Sequence, residues 1–269
     1  MKLATMRTET GTRAVVHTPD GYADLGCADI GELLRTGAPM SAGPIVRGVG
    51  LAPVIPVPGK ILCVGLNYRT HISEMGREIP EYPTLFAKFA DALVGPRDDI
   101  ALAPESTAVD WEAELAIVIG RPVRRASEED AISAIAGFTV MNDVTMRDWQ
   151  FRTKEWLQGK TFEATTPLGP VLVTPDELPG GVRPHLALRC SVNGESVQEA
   201  HTADLVFDPV DLVRYISTIV TLRPGDVIAT GTPGGVGHAR VPAKYLADGD
   251  VVVTEIEHLG RLENTARAQ

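Results

Sequence analysis

The stretch that most constrains the fold is VDWEAELAIVIG, residues 109–120, in which an acidic half leads into an apolar half. Alternate side chains of a strand project from the same face, roughly 6.5–7 Å apart, so Asp110, Glu112 and Glu114 are expected to share a face. The apolar run that follows is typical of a buried strand. An ionised carboxylate beside such a strand costs several kcal/mol unless it is paired or bound to a metal. The pattern is therefore compatible with two structures: a strand that enters from solvent, which is the commoner case, or a cation site.

A second acid favours the cation site. The segment GFTVMNDVTMRD, residues 137–148, is predicted to be another strand, and its apolar run ends at Asn142 and Asp143. Two acids from one strand face and one from a neighbouring strand end would offer oxygen donors, which suit Mg²⁺, Mn²⁺ or Ca²⁺. The cysteines and histidines form no cluster with the spacing of a zinc site.

A candidate acid–base pair lies in GLNYRTHISEMGREIPEYP, residues 65–83. His71 and Glu74 are one helical turn apart, so the carboxylate can hold the imidazole in one tautomer and raise its basicity. The residues that follow are polar and rich in glycine and proline, which predicts a mobile loop. A histidine next to a glutamate is, taken alone, more often a surface pair.

Three further signals are individually weak. Lys160 follows a glycine in LQGKTFEATTPLGP, but most lysines are simply solvated. Arg147 and Gln150 follow Asp143 at helical spacing, which predicts that they lie on that acid's side of the structure. The glycine-rich ATGTPGGVG, residues 229–237, lacks the ending of a phosphate-binding loop.

The composition excludes several classes of protein. The chain has 269 residues, 44% of them hydrophobic and 22% charged, which is ordinary for a globular protein of one large domain or one domain with a small appendage. No apolar run approaches the ~18 residues of a membrane span, and the first residues lack the apolar core of a secretion signal. A net charge of −10 argues against a nucleic-acid partner. Three scattered cysteines fit a reducing compartment, and we expect a cytoplasmic location.

The chain is predicted to divide into a small N-terminal domain with its linker, residues 1–55, and a larger domain, residues 56–269. In the first, TRAVVHTPDGYADLG predicts two short strands around an Asp20-Gly21 turn, and DIGELLRTG predicts a short helix. A connector rich in glycine and proline then leads to the buried strand ILCVGL.

The larger domain is predicted to be mostly β with few helices, an α+β fold without the regular βαβ alternation of a doubly wound sheet. One helix is predicted to begin at the N-cap Ser127, with Asp130 at its third position, and to stop at Gly137. A second is predicted to begin at the N-cap Asp208 with Pro209 in its first turn. The predicted strands are ELAIVIG, GFTVMND, GPVLVT, LALRCSVNG, DVIATG and DVVVTEI.

Together these signals resemble the fumarylacetoacetate hydrolase family from about Lys60 to Asn264. The motifs that carry the resemblance stand in the family's order and are GLNYRTHISEMG, PTLFAKFADALVGP, DWEAELAIVIG, GFTVMNDVTMRDWQ, GKTFEATTPLGP, VNGE, LRPGDVIATGTPGGVG and YLADGD. The N-terminal portion is similar to the small variable domain of many bacterial members. The resemblance implies a β-rich roll of mixed sheets packed as a sandwich, and a homodimer.

The resemblance also implies a metal centre. Glu112, Glu114 and Asp143 match the family's Mg²⁺ or Mn²⁺ ligands, with Ca²⁺ as a further candidate. Asp110 is expected not to be a ligand and to be satisfied by solvent or by a nearby cation at the mouth of the strand. The family's metazoan hydrolase has another metal-binding aspartate just ahead of its histidine, but CVGLNY has no acid there. The chain is therefore most similar to the bacterial subgroup with three carboxylates, which includes acylpyruvases and 2-hydroxyhepta-2,4-diene-1,7-dioate isomerases.

Catalytic and substrate-binding roles follow from the same resemblance. His71 and Glu74 match the catalytic dyad, on a lid that orders when substrate binds, and Lys160 matches the lysine that stabilises developing negative charge. Relatives commonly have a proline after Lys88, where this chain has Phe89. On the lid, Arg77 could pair with a distal carboxylate of the substrate. The candidate substrate-binding residues are Arg147, Gln150, Thr232, Tyr68, Lys88 and Arg77.

The leading hypothesis for function is hydrolysis of a carbon–carbon bond in an acylpyruvate-like or fumarylpyruvate-like β-diketo acid. In this reaction His71, assisted by Glu74, would activate water, and Lys160 would oppose the charge of the enolate that forms. The alternative is isomerisation or decarboxylation of a 2-keto or 2-hydroxydienoate acid, for example oxaloacetate or an intermediate of aromatic catabolism. A third hypothesis is an inactive binding subunit. The sequence does not separate the first two.

Overall fold

A computed structural model of the protein describes residues 1–74, 76 and 78–269, and of Glu74 its backbone alone. This described part forms 18 strands, with β1 to β9 at Lys2–Thr8, Gly11–Thr18, Gly21–Asp24, Gly50–Leu51, Ile61–Gly65, Thr84–Lys88, Leu93–Val94, Ile100–Leu102 and Val109–Asp110. Strands β10 to β18 are Ala113–Ile119, Ile135–Asn142, Thr145–Met146, Thr166–Val173, Ala187–Val192, Glu195–His201, Val227–Ala229, Val251–Ile256 and Gly260–Ala268. The α-helices α1 to α6 are Ile30–Thr36, Arg69–Glu74, Glu128–Ala134, Arg147–Gln150, Leu157–Lys160 and Pro209–Ile219.

Most of the strands belong to two sheets. The larger sheet has the order β3-β2-β1-β13-β11-β10-β16-β5-β6, with β4 beside β1 and β7 beside β13. The smaller sheet has the order β15-β14-β17-β18-β8, and β9 pairs with β12 separately. Antiparallel pairs predominate, but β16 runs parallel to β5 and β8 runs parallel to β18. The predicted α+β class with mixed sheets is confirmed. None of the helices within the described residues is long and apolar enough to span a bilayer.

Strand β10 lies at the centre of the large sheet and is buried along its whole length. It pairs with β11 on one side and with β16 on the other. Leu115 and Ile117 belong to one hydrophobic cluster, whereas Ala116 and Val118 belong to a second cluster on the opposite face. Because both faces are covered, the part of the strand after Glu114, residues 115–119, is continuously apolar rather than alternating.

The N-terminal strands continue the large sheet. Strand β1 pairs with β13 through Leu3 and Leu172, and β2 pairs with β3 around the predicted turn, with Thr18 opposite Gly21. Helix α1 has its predicted place between Asp29, which caps its N-terminus, and a left-handed glycine. The division into two domains stays a prediction, and the sheet runs through both segments without interruption.

Helices α3 and α6 begin where the sequence predicts. Ser127 and Asp130 form a reciprocal capping box at the start of α3, and Asp208 caps α6 through two backbone N–H groups. The predicted stop of α3 at Gly137 is wrong, because the helix ends at Ala134 and β11 begins at the next residue. Gly137 is a strand residue whose missing side chain permits close approach, since a Cβ there would overlap the carbonyl oxygen of Val173 on β13.

Gly137→Ala is expected to destabilise the protein. The added methyl group has no room between β11 and β13, and overpacking of this kind costs about 1–3 kcal/mol. Urea unfolding followed by circular dichroism measures the change in the free energy of unfolding. An alanine variant as stable as the wild type would show that the two strands separate without cost, contrary to the packing described above.

Candidate active site

Three predicted carboxylates meet where β10 and β11 come together. Glu112 immediately precedes β10, Glu114 lies on it, and Asp143 immediately follows β11. The Asp143 amide donates to the carbonyl of Glu112 at 2.8 Å, which fixes the two chain segments against each other. One carboxylate oxygen from each acid lies within 4.8 Å of the others, and all three side chains are buried.

Three buried cations surround these acids. The Lys160 ammonium, at the end of α5, lies 2.5 Å from Glu112 Oε2 and 2.8 Å from Asp143 Oδ2. Lys88 Nζ, at the end of β6, lies 2.6 Å from the other oxygen of Asp143. Arg147 Nη2, on α4, lies 2.6 Å from Glu112 Oε1. Both oxygens of Glu112 and both of Asp143 are thus paired with a cation.

Glu114 is the exception. The hydrogen bond that its carboxylate accepts within the described structure is from the Gly231 amide, at 2.8 Å. Burial, with the Asp143 and Glu112 carboxylates nearby, raises the pKa of Glu114 well above its usual value of 4.5. Burial alone would also raise the pKa of Asp143, but the ammonium groups of Lys160 and Lys88 lower it instead. Within the described part of the chain no cation forms an ion pair with Glu114, so its charge is the least compensated of the three.

The donor set fits a hard divalent cation. Counting Asp110, which lies beside Arg147, four buried carboxylates face three buried cations within the described cluster. One negative charge therefore remains, and three carboxylate oxygens lie close together. Mg²⁺ and Mn²⁺ prefer such anionic oxygen ligands. The ligand roles of Glu112, Glu114 and Asp143 stay a prediction.

Asp110 has a different partner set. Its carboxylate is fully buried and accepts from Arg147 Nε at 2.8 Å. It also accepts from the backbone amides of Trp111, Gly237 and His238 at 2.9, 2.7 and 3.0 Å. Of the two expected ways to satisfy Asp110, the structure thus shows a cation and backbone donors rather than solvent. Asp110 holds Arg147 and the loop after β16 in fixed positions.

A cavity of about 330 Å³ opens above Glu112 and Glu114. It brings together several residues that the sequence predicts as catalytic or substrate-binding. Those residues are His71, Lys160, Arg147, Gln150 and Thr232. The apolar part of its wall includes Phe86, Phe151, Trp156 and Val236. The cavity thus combines two buried carboxylates, two cations and the imidazoles of His71 and His238.

The other predicted residues lie elsewhere. Lys88 is buried against Asp143 and does not reach the cavity wall, and the side chain after it, Phe89, is exposed. Tyr68 is buried, does not line this cavity, and contributes with His71 to a second cavity of about 380 Å³. Arg77 and the side chain of Glu74 are outside the described residues, so the acid half of the predicted dyad has no structural description.

His71 is positioned by the start of helix α2. The buried Asn67 donates its side-chain amide to the carbonyls of Phe207 and Thr230, at 3.0 and 2.8 Å. The Thr70 amide donates to Asp204 at 3.0 Å. These contacts join the first turn of α2 to segments on either side of β16, so the imidazole is carried to the same cavity as the acids.

A known protein family matches nearly the same part of the chain as the motifs described above. The model of the fumarylacetoacetate (FAA) hydrolase C-terminal family matches residues 60–267, which is more than half of the chain. The chain belongs to this family. The resemblance seen in the sequence is therefore confirmed.

Relatives and solved structures extend this assignment. The mitochondrial oxaloacetate tautomerase Fahd2a of Rattus norvegicus is 49% identical over 216 residues, which are 80% of this chain and 68% of that protein. The fumarylacetoacetate hydrolase of Exiguobacterium antarcticum has a TM-score of 0.91 at 34% identity, covering all of both chains. The 5-carboxymethyl-2-hydroxymuconate delta-isomerase of Mycobacterium smegmatis has a TM-score of 0.82 at 32% identity, covering 100% of this chain and 99% of that one. The fold of this family member is thus the fumarylacetoacetate hydrolase type.

Sequence reasoning missed the amides that support the acids of this family member. Asn142 accepts from the Glu112 amide at 2.9 Å and donates to Thr254 at 2.9 Å. Gln198 accepts from the Ala113 amide at 3.0 Å and donates to the Thr232 hydroxyl at 2.9 Å. Asn142 could have been found from its place beside Asp143 at a strand end, whereas Gln198 has no local signal.

Glu112→Gln and Glu114→Gln are expected to change stability in opposite directions without metal. The first removes a charge that pairs with Arg147 and Lys160, and breaking a buried pair costs about 3–5 kcal/mol. The second removes the least compensated charge. The pKa of Glu114 is higher in the folded protein than in the unfolded chain. As pH rises from the unfolded pKa to the folded pKa, the free energy of unfolding of the wild type therefore falls. Glu114→Gln removes this loss and should be the more stable protein at pH 7. Melting temperatures at pH 7 in a chelator measure both effects.

The same pair tests the metal site. Mg²⁺ or Mn²⁺ should raise the melting temperature of the wild type, because a ligand that binds the native state stabilises it. Neither variant should show the full increase, since each lacks one anionic donor. An equal increase in the wild type and in Glu114→Gln would remove Glu114 from the ligand set.

Proposed function

We propose that the protein is a metal-dependent isomerase that interconverts the enol and keto forms of a 2-oxo acid, with oxaloacetate as the first substrate to test. The observation that carries the proposal is that His71 and Lys160 line one cavity with Glu112 and Glu114, two of the three clustered acids. The choice of isomerisation over hydrolysis is supported by the relatives at 49% identity, whose names identify oxaloacetate tautomerases. The hydrolase hypothesis from the sequence thus becomes the second candidate.

Metal binding, proton transfer and charge stabilisation are assigned to different residues of the site. Glu112, Glu114 and Asp143 would hold a divalent cation, which when bound acts as a Lewis acid toward the 2-oxygen and carboxylate of the substrate. His71, which lines the cavity, would take a proton from the carbon next to the carbonyl and deliver it to the 2-oxygen to give the enol, and would move it the opposite way to regenerate the keto form. Lys160 opposes the negative charge that develops on the substrate oxygen, because its burial makes the ammonium effective at short range.

Isomerisation makes fewer demands on the site than hydrolysis. It needs one group that moves a proton between two atoms of the same substrate, whereas hydrolysis also needs a positioned water and a leaving carbon. Val64, Phe86, Trp156 and Val236 form an apolar wall beside the polar residues of the cavity. Exclusion of water by such a wall would protect an enol-type species from side reactions.

The test is a parallel assay of three reactions with the purified protein in Mg²⁺, Mn²⁺ or chelator. Decay of enol absorbance without loss of carbon dioxide reports tautomerisation of oxaloacetate. Pyruvate release from oxaloacetate reports decarboxylation, and acid release from acylpyruvates reports hydrolysis. We expect metal-dependent tautomerisation to be the fastest. Hydrolysis of an acylpyruvate at a higher kcat/KM would instead support the carbon–carbon hydrolase.

His71→Ala is expected to reduce kcat for tautomerisation by about 10²–10⁴-fold, the usual contribution of a general acid–base residue. Metal binding should stay near that of the wild type, because His71 is not among the residues that form the acidic group. Isothermal titration with Mn²⁺ provides the second measurement. Loss of metal affinity together with activity would show that His71 supports the metal centre rather than proton transfer.

A further inference from the structure

The mouth of the cavity carries a second imidazole that the proposed proton transfer does not use. His238 lines the same cavity as Arg147 and Lys160. Its Nδ1 lies 2.9 Å from the hydroxyl of Tyr245, and its ring centroid lies 5.3 Å from that of Phe151, which also lines the cavity. The imidazole is therefore held by a hydrogen bond and by an aromatic contact, although it is exposed to solvent.

The backbone that carries His238 is fixed from below. The His238 amide donates to Asp110 Oδ2 at 3.0 Å, and the same oxygen accepts from Arg147 Nε at 2.8 Å. The preceding residue, Gly237, donates to Asp110 Oδ1, and a Cβ at this glycine would overlap the carbonyl of Lys244. The buried Asp110 carboxylate thus fixes the backbone of His238 relative to the Arg147 side chain.

The two cations of the cavity already have acidic partners, so another group is needed to bind a second carboxylate of a substrate. Arg147 contacts Asp110, Glu112 and Gln150, and the Lys160 ammonium contacts Glu112 and Asp143 and is assigned above to the charge on the substrate's 2-oxygen. The 2-oxo acid end of a substrate is expected beside those groups. A second carboxylate further along the substrate would need another donor, and such a group is costly to bury without one.

His238 can provide that donor. With Nδ1 engaged by Tyr245, Nε2 is the ring nitrogen that remains for a ligand, and it hydrogen-bonds to none of the described residues. We propose that His238 binds the distal carboxylate of a dicarboxylic 2-oxo acid and that Tyr245 positions the ring for this contact. The inference rests on the proposed function and narrows the substrate class to dicarboxylates. It makes His238 a recognition residue and not a proton-transfer residue.

The experiment compares a dicarboxylate with a ligand of nearly the same shape that lacks the second charge. For binding, malate and its 4-methyl ester are titrated calorimetrically in Mg²⁺, since neither can enolise. For turnover, oxaloacetate and its 4-methyl ester are compared. The variants are His238→Ala and Tyr245→Phe, with His17→Ala as the matched control, because His17 is an exposed histidine on β2 that does not line the cavity. Circular dichroism verifies that each variant is folded.

We expect His238→Ala to weaken malate binding and to raise KM for oxaloacetate about tenfold or more, as for a lost hydrogen bond to a charged group, with the esters changed by less than about twofold. Tyr245→Phe should cause a smaller loss with the same preference, and kcat should change little in both variants. His17→Ala should match the wild type. Equal losses on diacid and ester, or none, would overturn the assignment.

Two further outcomes separate this inference from its alternatives. If Arg77→Ala abolishes the preference for malate over its ester while His238→Ala retains it, the sequence-based candidate Arg77 is the recognition residue and the inference is wrong. If the wild type turns over neither oxaloacetate nor its ester, the proposed function fails. The malate titrations still decide the inference in that case, because they require no turnover.

Discussion

The structure depends on a buried ionic cluster at the junction of β10 and β11. Each of its charged groups pays a large desolvation penalty that only close pairing offsets. Lys160 is the centre of this pairing, because its ammonium contacts both Glu112 and Asp143. Such a cluster is stable only when it is complete, since removal of one partner leaves another charge buried alone. Among the described residues no cation pairs directly with Glu114, so a metal ion bound by the proposed ligands would also stabilise the fold.

Strand β10 supports the cluster by being covered on both faces. Its side chains enter two hydrophobic clusters on opposite faces of the large sheet, so a shift of one residue in register would exchange those two sets. The register is fixed further by Asn142 and Gln198, which accept from consecutive amides at its start. The acidic and apolar halves of residues 109–120 thus have separate roles. The apolar half holds the sheet in register, and the register places Glu112 and Glu114 beside Asp143.

Features that depend on neighbouring residues were predictable from the sequence. The caps at Ser127 and Asp208 are examples, because a side chain there reaches amides only two or three residues away. Features that depend on distant segments were not. Gly137 was predicted to stop a helix, but its role is set by Val173 on another strand. Lys88 was expected to bind substrate, yet it lies against Asp143, 55 residues away, and nothing in its local sequence indicates that contact.

Substitutions at the inner end of the cavity and at its mouth differ in how many buried charges they disturb. At the inner end, the charged groups of Arg147 and Lys160 each contact two acids, so a substitution there disturbs several buried charges at once. At the mouth, the His238 side chain contacts the hydroxyl and ring of Tyr245 and the ring of Phe151, all near solvent. If His238 has the proposed recognition role, a change there would alter what the cavity binds while the acidic cluster stays intact. The proposed separation therefore assigns the choice of substrate to residues that pair with none of the buried acids through their side chains, and it leaves the buried ion pairs to hold the sheet.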